Sequence, residues 1–316
     1  MPDPIRILEA MGLATLIAGI FALSFGLPWR APNPARARIG GVLGLAAGIL
    51  SGCWRMDALP NWPPREDHDR LLLFLLPLVA AVEIVIAVTS RPLWLPRLLR
   101  LIVVAGAAPV LLYGSSYIAE LTGPGSREWT ISQMVVIFAG LAFLLAIVWW
   151  AMWLLTKRSA CRSVPILLAL VSTGATVTIL LSGYASAGQS GLNLPAALVG
   201  VTVASLVLKG PPQMNGVIGV GLVVLFALLV EGRFFGQLST THALLLMGAP
   251  LLAWCAEIPS LRRRSSLAHR CVRVILPMIP VTFALILAQR QFVADSGKTA
   301  VQSSEPSADD YLNFGK

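Results

Sequence analysis

Few residues in this chain pair a reactive side chain with an unusual position. The first is Glu83, the acid deepest within an apolar run. It lies about 12 residues past the outer end of that run, roughly 18 Å at 1.5 Å per residue. A charge at such depth is costly in lipid, and ionisable residues there commonly mark binding or coupling sites. The sequence places no lysine or arginine at comparable depth to pair with it. The expectation is a neutral glutamic acid that binds a solute or couples to protons, or else hydrogen-bonds to a neighbouring helix.

A second group is polar and periodic. Tyr113, Ser116, Tyr117 and Glu120 fall at i, i+3, i+4 and i+7, a spacing that predicts one shared helical face. Thr178, Ser182 and Ser186 are spaced by four and predict a partner stripe two runs later. Two such faces at one depth would line a cavity open to the outside. The alternative is that they bond between helices and hold the bundle together.

A third group could act as acid and base. Glu66 and His68 lie in the run Arg-Glu-Asp-His-Asp-Arg at 65–70, and His242 follows Ser239, Thr240 and Thr241. If His68 and His242 met near Glu66 or Glu231, they would give a membrane enzyme its acid–base pair. Consecutive residues do not converge on one point, so 65–70 reads as a solvated loop rather than a metal site. The four cysteines, Cys53, Cys161, Cys255 and Cys271, form no CxxC pair and read as small buried side chains. The chain contains no phosphate-binding loop, no HExxH and no GxSxG. The sequence therefore implies no metal, no cofactor and no ATP-driven step.

The elements that must position these residues are long and apolar. Of the 316 residues, 56% are hydrophobic and only 12% charged, about half the charged share of a soluble domain. Mean hydropathy is +0.78. Runs long enough to approach a membrane span, roughly 20 residues, are Leu8–Leu27, Ile39–Trp54, Leu71–Thr89, Leu101–Thr122, Ile131–Leu155, Val164–Ser186, Leu192–Leu208, Met214–Val230, Ala243–Ile258 and Cys271–Gln289. The predicted fold is all-α, a polytopic membrane bundle of about ten helices. The short seventh and eighth runs could instead form a re-entrant pair, leaving eight. Leu8–Leu27 reads as a retained helix, because the residues before it include Asp3 and Glu9 and no convincing cleavage site follows. Residues 1–290 form a single membrane domain, and the polar tail 291–316 is expected to be disordered.

Charge orients the bundle. The net charge is +9, and most lysines and arginines fall in the odd-numbered connections: Arg36 and Arg38, Arg97 and Arg100, Lys157 and Arg158, Lys209, then Arg262, Arg263 and Arg264. With Arg30, Arg91, Arg162, Arg270 and Arg273 these make 15 of the 24 lysines and arginines. By the positive-inside rule these connections are cytoplasmic, which puts both termini outside the cell membrane. His269 and its neighbouring arginines read as topogenic, touching anionic headgroups. Trp149, Trp150 and Trp153 read as interfacial anchors on the cytoplasmic side. The basic balance does not imply nucleic acid, since no sizeable soluble surface exists to bind it. The leading function is a secondary transporter or permease for a small solute. The alternatives are an enzyme acting on a lipid-linked substrate and a scaffold subunit of a membrane complex.

Overall fold

A backbone in lipid must satisfy its own hydrogen bonds, and this chain does so with helices. The computed structural model describes residues 4–27, 34–64, 66–89, 94–118, 129–158, 163–208, 214–258 and 266–302. Every regular element among them is helical. The helices are α1 (Pro4–Gly26), α2 (Pro34–Arg55), α3 (Asp67–Val88), α4 (Leu95–Leu112), α5 (Ile131–Arg158), α6 (Ser163–Leu181), α7 (Ala185–Val207), α8 (Asn215–Phe234), α9 (Thr240–Gly248, continued by Ala249–Glu257) and α10 (Ser266–Gln302). Each of the ten apolar runs corresponds to one of these. Among the described residues, nine are long and apolar enough to cross a membrane. The protein is a multi-pass membrane protein.

The exception is α9, which changes from α to 3-10 geometry at Ala249. Pro250 explains the place, because it has no N–H to give to the carbonyl four residues earlier. A 3-10 helix rises faster, so the two halves together span roughly 30 Å. That is still the thickness of a hydrocarbon core. A comparable break occurs in α3, where a π-helical stretch, Leu71–Leu75, precedes Pro77. The seventh and eighth runs are not short. They form α7 and α8, with 23 and 20 residues, each long enough to cross.

At the centre stands α8, with 89% of its apolar window buried inside the protein. It packs against α2, α3, α4, α5, α6 and α7. To one side, α1, α2 and α7 form a tightly interlocked trio. Ala10, Ala14, Ala18 and Ala22 recur every four residues on α1 and are all buried. They face a matching stripe on α2. A Cβ on Gly44 would sit 2.6 Å from the Ala18 carbonyl oxygen, and one on Gly48 would sit 2.7 Å from that of Ala14. Such small-residue seams let membrane helices approach closely, which dispersion then rewards. Thr15 Oγ donates to the Ala196 carbonyl at 3.0 Å and ties α1 to α7.

The last helix departs from the expected tail, because α10 runs past residue 290 to Gln302. Residues 303–316 lie outside the described residues, as do Lys209 and Arg262, Arg263 and Arg264.

Replacing Gly48 with leucine should break the trio, because its Cβ would also meet Ala18 and Ala197 at 2.9 Å. We expect a loss of at least about 1–3 kcal/mol, the usual range for overpacking. Thermal unfolding of the purified protein measures it. Gly140→Leu, with nothing within 4 Å of its Cβ position, should leave the transition unchanged.

Candidate functional site

Ionisable side chains gather at both ends of α8. At its N-terminal end, the carboxylate of Glu83 on α3 receives two parallel bonds from Arg100 on α4. Arg100 Nε donates to Oε1 at 2.8 Å and Nη2 donates to Oε2 at 2.9 Å. This is the bidentate fork that makes arginine–carboxylate pairs strong. The reading of an acid with no basic partner at its depth is therefore corrected. Helix α4 starts at Leu95, with Pro96 in its first turn, so Arg100 lies inside the helix rather than in the loop before it. Its guanidinium also lies 5.6 Å from the Trp149 ring centroid, in cation–π range.

Two glycines make room for the pair. A Cβ on Gly219 would stand 3.0 Å from Glu83 Oε1 and 3.0 Å from the Trp149 ring, and one on Gly216 would stand 3.6 Å from Glu83 Oε2. Above them opens a cavity of about 700 Å³. Arg38, Arg97, Arg100 and Lys157 lie on its walls with Glu83, and Trp149, Trp150, Trp153 and Trp254 supply aromatic surface. These tryptophans are thus more than interfacial anchors. Trp149 is buried, and Trp254 Nε1 donates to the Ala151 carbonyl at 3.1 Å.

At the other end of α8, Glu231 is fully buried. Its Oε2 lies 3.5 Å from His68 Nδ1, while its Oε1 and His68 Nε2 are buried without a hydrogen-bond partner. Beside them Tyr184 donates to both oxygens of Asp67, at 2.7 and 2.8 Å. Burial, then the Asp67 contact, pushes the Tyr184 phenol above the usual tyrosine range, so it stays protonated and donating at neutral pH. Tyr184 also lines a second cavity of about 350 Å³, together with Ser182, Gln237, His242 and Gln291.

The two cavities lie on opposite faces. The larger one is built from residues beside the first, third, fifth, seventh and ninth connections. The smaller takes its walls from the sixth and eighth connections and from α10 near its described end. Helix α9 joins them, with His242 at one and Trp254 at the other.

Residues 67–70 are not a solvated loop, and Arg65 lies outside the described residues. Asp67, His68, Asp69 and Arg70 are buried and form the first turn of α3. Arg70 donates to the Leu111 carbonyl at 3.2 Å, closing the C-terminal end of α4. Glu66 is exposed just before that turn, where its backbone N–H donates to Asp69 at 3.3 Å. His242 has its Nδ1 2.5 Å from the Ser239 hydroxyl, which caps α9. His68 therefore meets Glu231, while His242 faces the Tyr184 cavity.

The predicted polar stripes are not continuous helical faces. Helix α4 ends at Leu112 and Gly114 adopts φ 72°, so Tyr113, Ser116 and Tyr117 lie in turns beyond it. Tyr117 donates to the Phe234 carbonyl at 3.1 Å. Glu120 lies outside the described residues. Gly183, at φ 86°, ends the second stripe. Thr178 and Ser182 donate back to their own helix, to the Gly174 and Ile179 carbonyls, both at 2.7 Å. Ser186 is exposed in the first turn of α7. Ser182 does reach a cavity, but its other walls come from α10 and the α8–α9 connection. No group of three or more histidine, cysteine, aspartate or glutamate side chains is placed to hold a metal among the described residues.

No protein-family model, curated protein or solved structure matches this chain. The arrangement must therefore speak through its own chemistry.

Tyr184→Phe would leave the buried Asp67 carboxylate without its phenol donor. We expect a loss of about 1–3 kcal/mol, the range for stranding a buried polar group, measured by thermal unfolding. Tyr113→Phe, at a side chain 61% exposed, should shift nothing.

Proposed function

We propose that this protein is a secondary transporter for a small solute, with the two opposed cavities as its ports. The observation that carries this reading is their placement. They flank the two ends of one buried helix, and ionisable side chains sit within the spans at both ends. Transporters place their sites between such half-open vestibules, and ionisable residues in spans mark the path.

The two ends then have different roles. Glu83 and Arg100 satisfy each other and form the floor of the larger cavity. An anionic solute that takes up Arg100 displaces Glu83, whose carboxylate must then gain a proton or turn to Arg38 on the same wall. His68 and Glu231 are less fully matched, each keeping one polar atom unpartnered. Such a pair suits the gain and loss of a proton, so the coupling expected of Glu83 is better assigned here. The positive-inside rule puts the larger cavity in the cytoplasmic leaflet of the cell membrane and both termini on the other side.

A second reading draws on the smaller cavity, where His242 and Tyr184 share one wall space. In that reading they serve as base and acid on a lipid-linked substrate. Turnover without net movement of solute would favour it.

The test is solute uptake by proteoliposomes, with and without an imposed pH gradient. Glu231→Gln should lose stimulation by the gradient at least about tenfold, or 1.4 kcal/mol, while uptake down a solute gradient persists. Unchanged gradient-driven uptake in that variant would remove His68 and Glu231 from the coupling role.

A further inference from the structure

The larger cavity has a shape and charge pattern that single out one kind of ligand. Five wall residues fall on one face of α5: Phe143, Ile147, Trp150, Leu154 and Lys157. Their spacing of four, three, four and three keeps them in register down a helix. From Phe143 to Lys157 the face runs roughly 20 Å, at 1.5 Å per residue. Its deep end is apolar, and its other end is cationic. Across the cavity, α4 repeats the pattern with Arg97, Arg100, Leu101 and Val104, again from charge to hydrocarbon.

Arg38, Arg97, Arg100 and Lys157 line the mouth with one wall carboxylate, Glu83. Arg100 pairs with Glu83, and the charge of Arg38 also acts on it. Among the described residues neither Arg97 nor Lys157 has an ion-pair partner, and both are exposed. Lys157 Nζ instead lies 3.7 Å from the Trp153 ring centroid. The wall is also open along its side. Leu101 is 58% exposed, Phe143 68% and Trp150 52%, so a bilayer would meet the cavity along its length.

We propose that this cavity binds a single-chain anionic amphiphile, with a carboxylate or phosphate head at Arg97 and Lys157 and its chain along α5. The volume of about 700 Å³ lies within the range of small-molecule sites. A purely apolar ligand leaves the cations unused, and a small hydrophilic anion leaves the long apolar face bare. A single chain with an anionic head uses both, and it enters sideways from the leaflet whose headgroups lie level with the mouth. This ligand class rests on the transporter reading for its role as substrate, but not for its binding.

The test uses bromine-tagged dodecanoate, whose bromine quenches tryptophan fluorescence on contact. The full chain is reconstituted in phosphatidylcholine vesicles and titrated with this probe. The same titration with bromine-tagged dodecyltrimethylammonium reports quenching by simple partition into lipid. The expected result is saturable quenching by the anion beyond that of the cation. Arg97→Gln combined with Lys157→Gln should weaken it at least about tenfold, as should raised salt. Propanoate should not compete, because the head alone lacks the chain; competition by propanoate would assign the site to a soluble anion instead. Equal quenching by anion and cation, or an unchanged curve in the double variant, overturns the proposal. Binding without any uptake sinks the transporter reading and leaves the ligand class standing. Uptake of a solute that the dodecanoate does not inhibit does the reverse.

Discussion

The contact between Glu83 and Arg100 sets the geometry of the larger cavity and of the helices that meet there. Neither charge could face lipid alone, so α3 and α4 must stay close enough for the guanidinium fork to close. Helix α8 must then pass beneath without a side chain at Gly219, where even a Cβ would crowd both the carboxylate and Trp149. Trp149 in turn closes over the arginine and brings α5 against α4. One ion pair thereby fixes a glycine, an aromatic ring and four helices. At the far end of α8 the same constraint is met less completely. Glu231 and His68 share one contact at 3.5 Å and keep an open atom each. The bundle is thus firmly satisfied at one end and poised at the other.

Much of the fold is legible in the amino-acid sequence, because lipid makes hydropathy and length decisive. Ten apolar runs become ten helices, and the alternation of basic connections matches the sorting of wall residues between two faces. The change of helix type at Pro250 could be read from that proline as a break, but not as a turn to 3-10 geometry. The interlock of α1 with α2 was present as alanines every four residues facing glycines every four. In a chain this rich in both residues, such a pattern does not stand out.

The site was harder to read, for reasons that differ by residue. Arg100 reads as a loop charge because apolar content begins at Leu101. Pro96, a common first-turn residue, marks the true helix start. Tyr113, Ser116 and Tyr117 have helical spacing without a helix, and Gly114 is the residue that ends it. Asp67, His68, Asp69 and Arg70 looked solvated because four charged or polar residues in a row rarely enter a core. They do so here because each has a specific place: a tyrosine hydroxyl, a buried glutamate, backbone N–H groups and a helix-end carbonyl. The face from Phe143 to Lys157 was invisible for the opposite reason. When every side of a helix is apolar, periodicity cannot say which side lines a cavity.

The larger cavity requires Glu83 and Arg100 to be a true pair within the bundle. A double-mutant cycle measures that directly. Thermal unfolding of Glu83→Gln, Arg100→Gln and the double variant gives the coupling between them. Each single change should cost about 3–5 kcal/mol, because it leaves one buried charge uncompensated. The double variant should cost clearly less than their sum. Additive losses would mean that the two side chains do not meet and do not form the cavity floor.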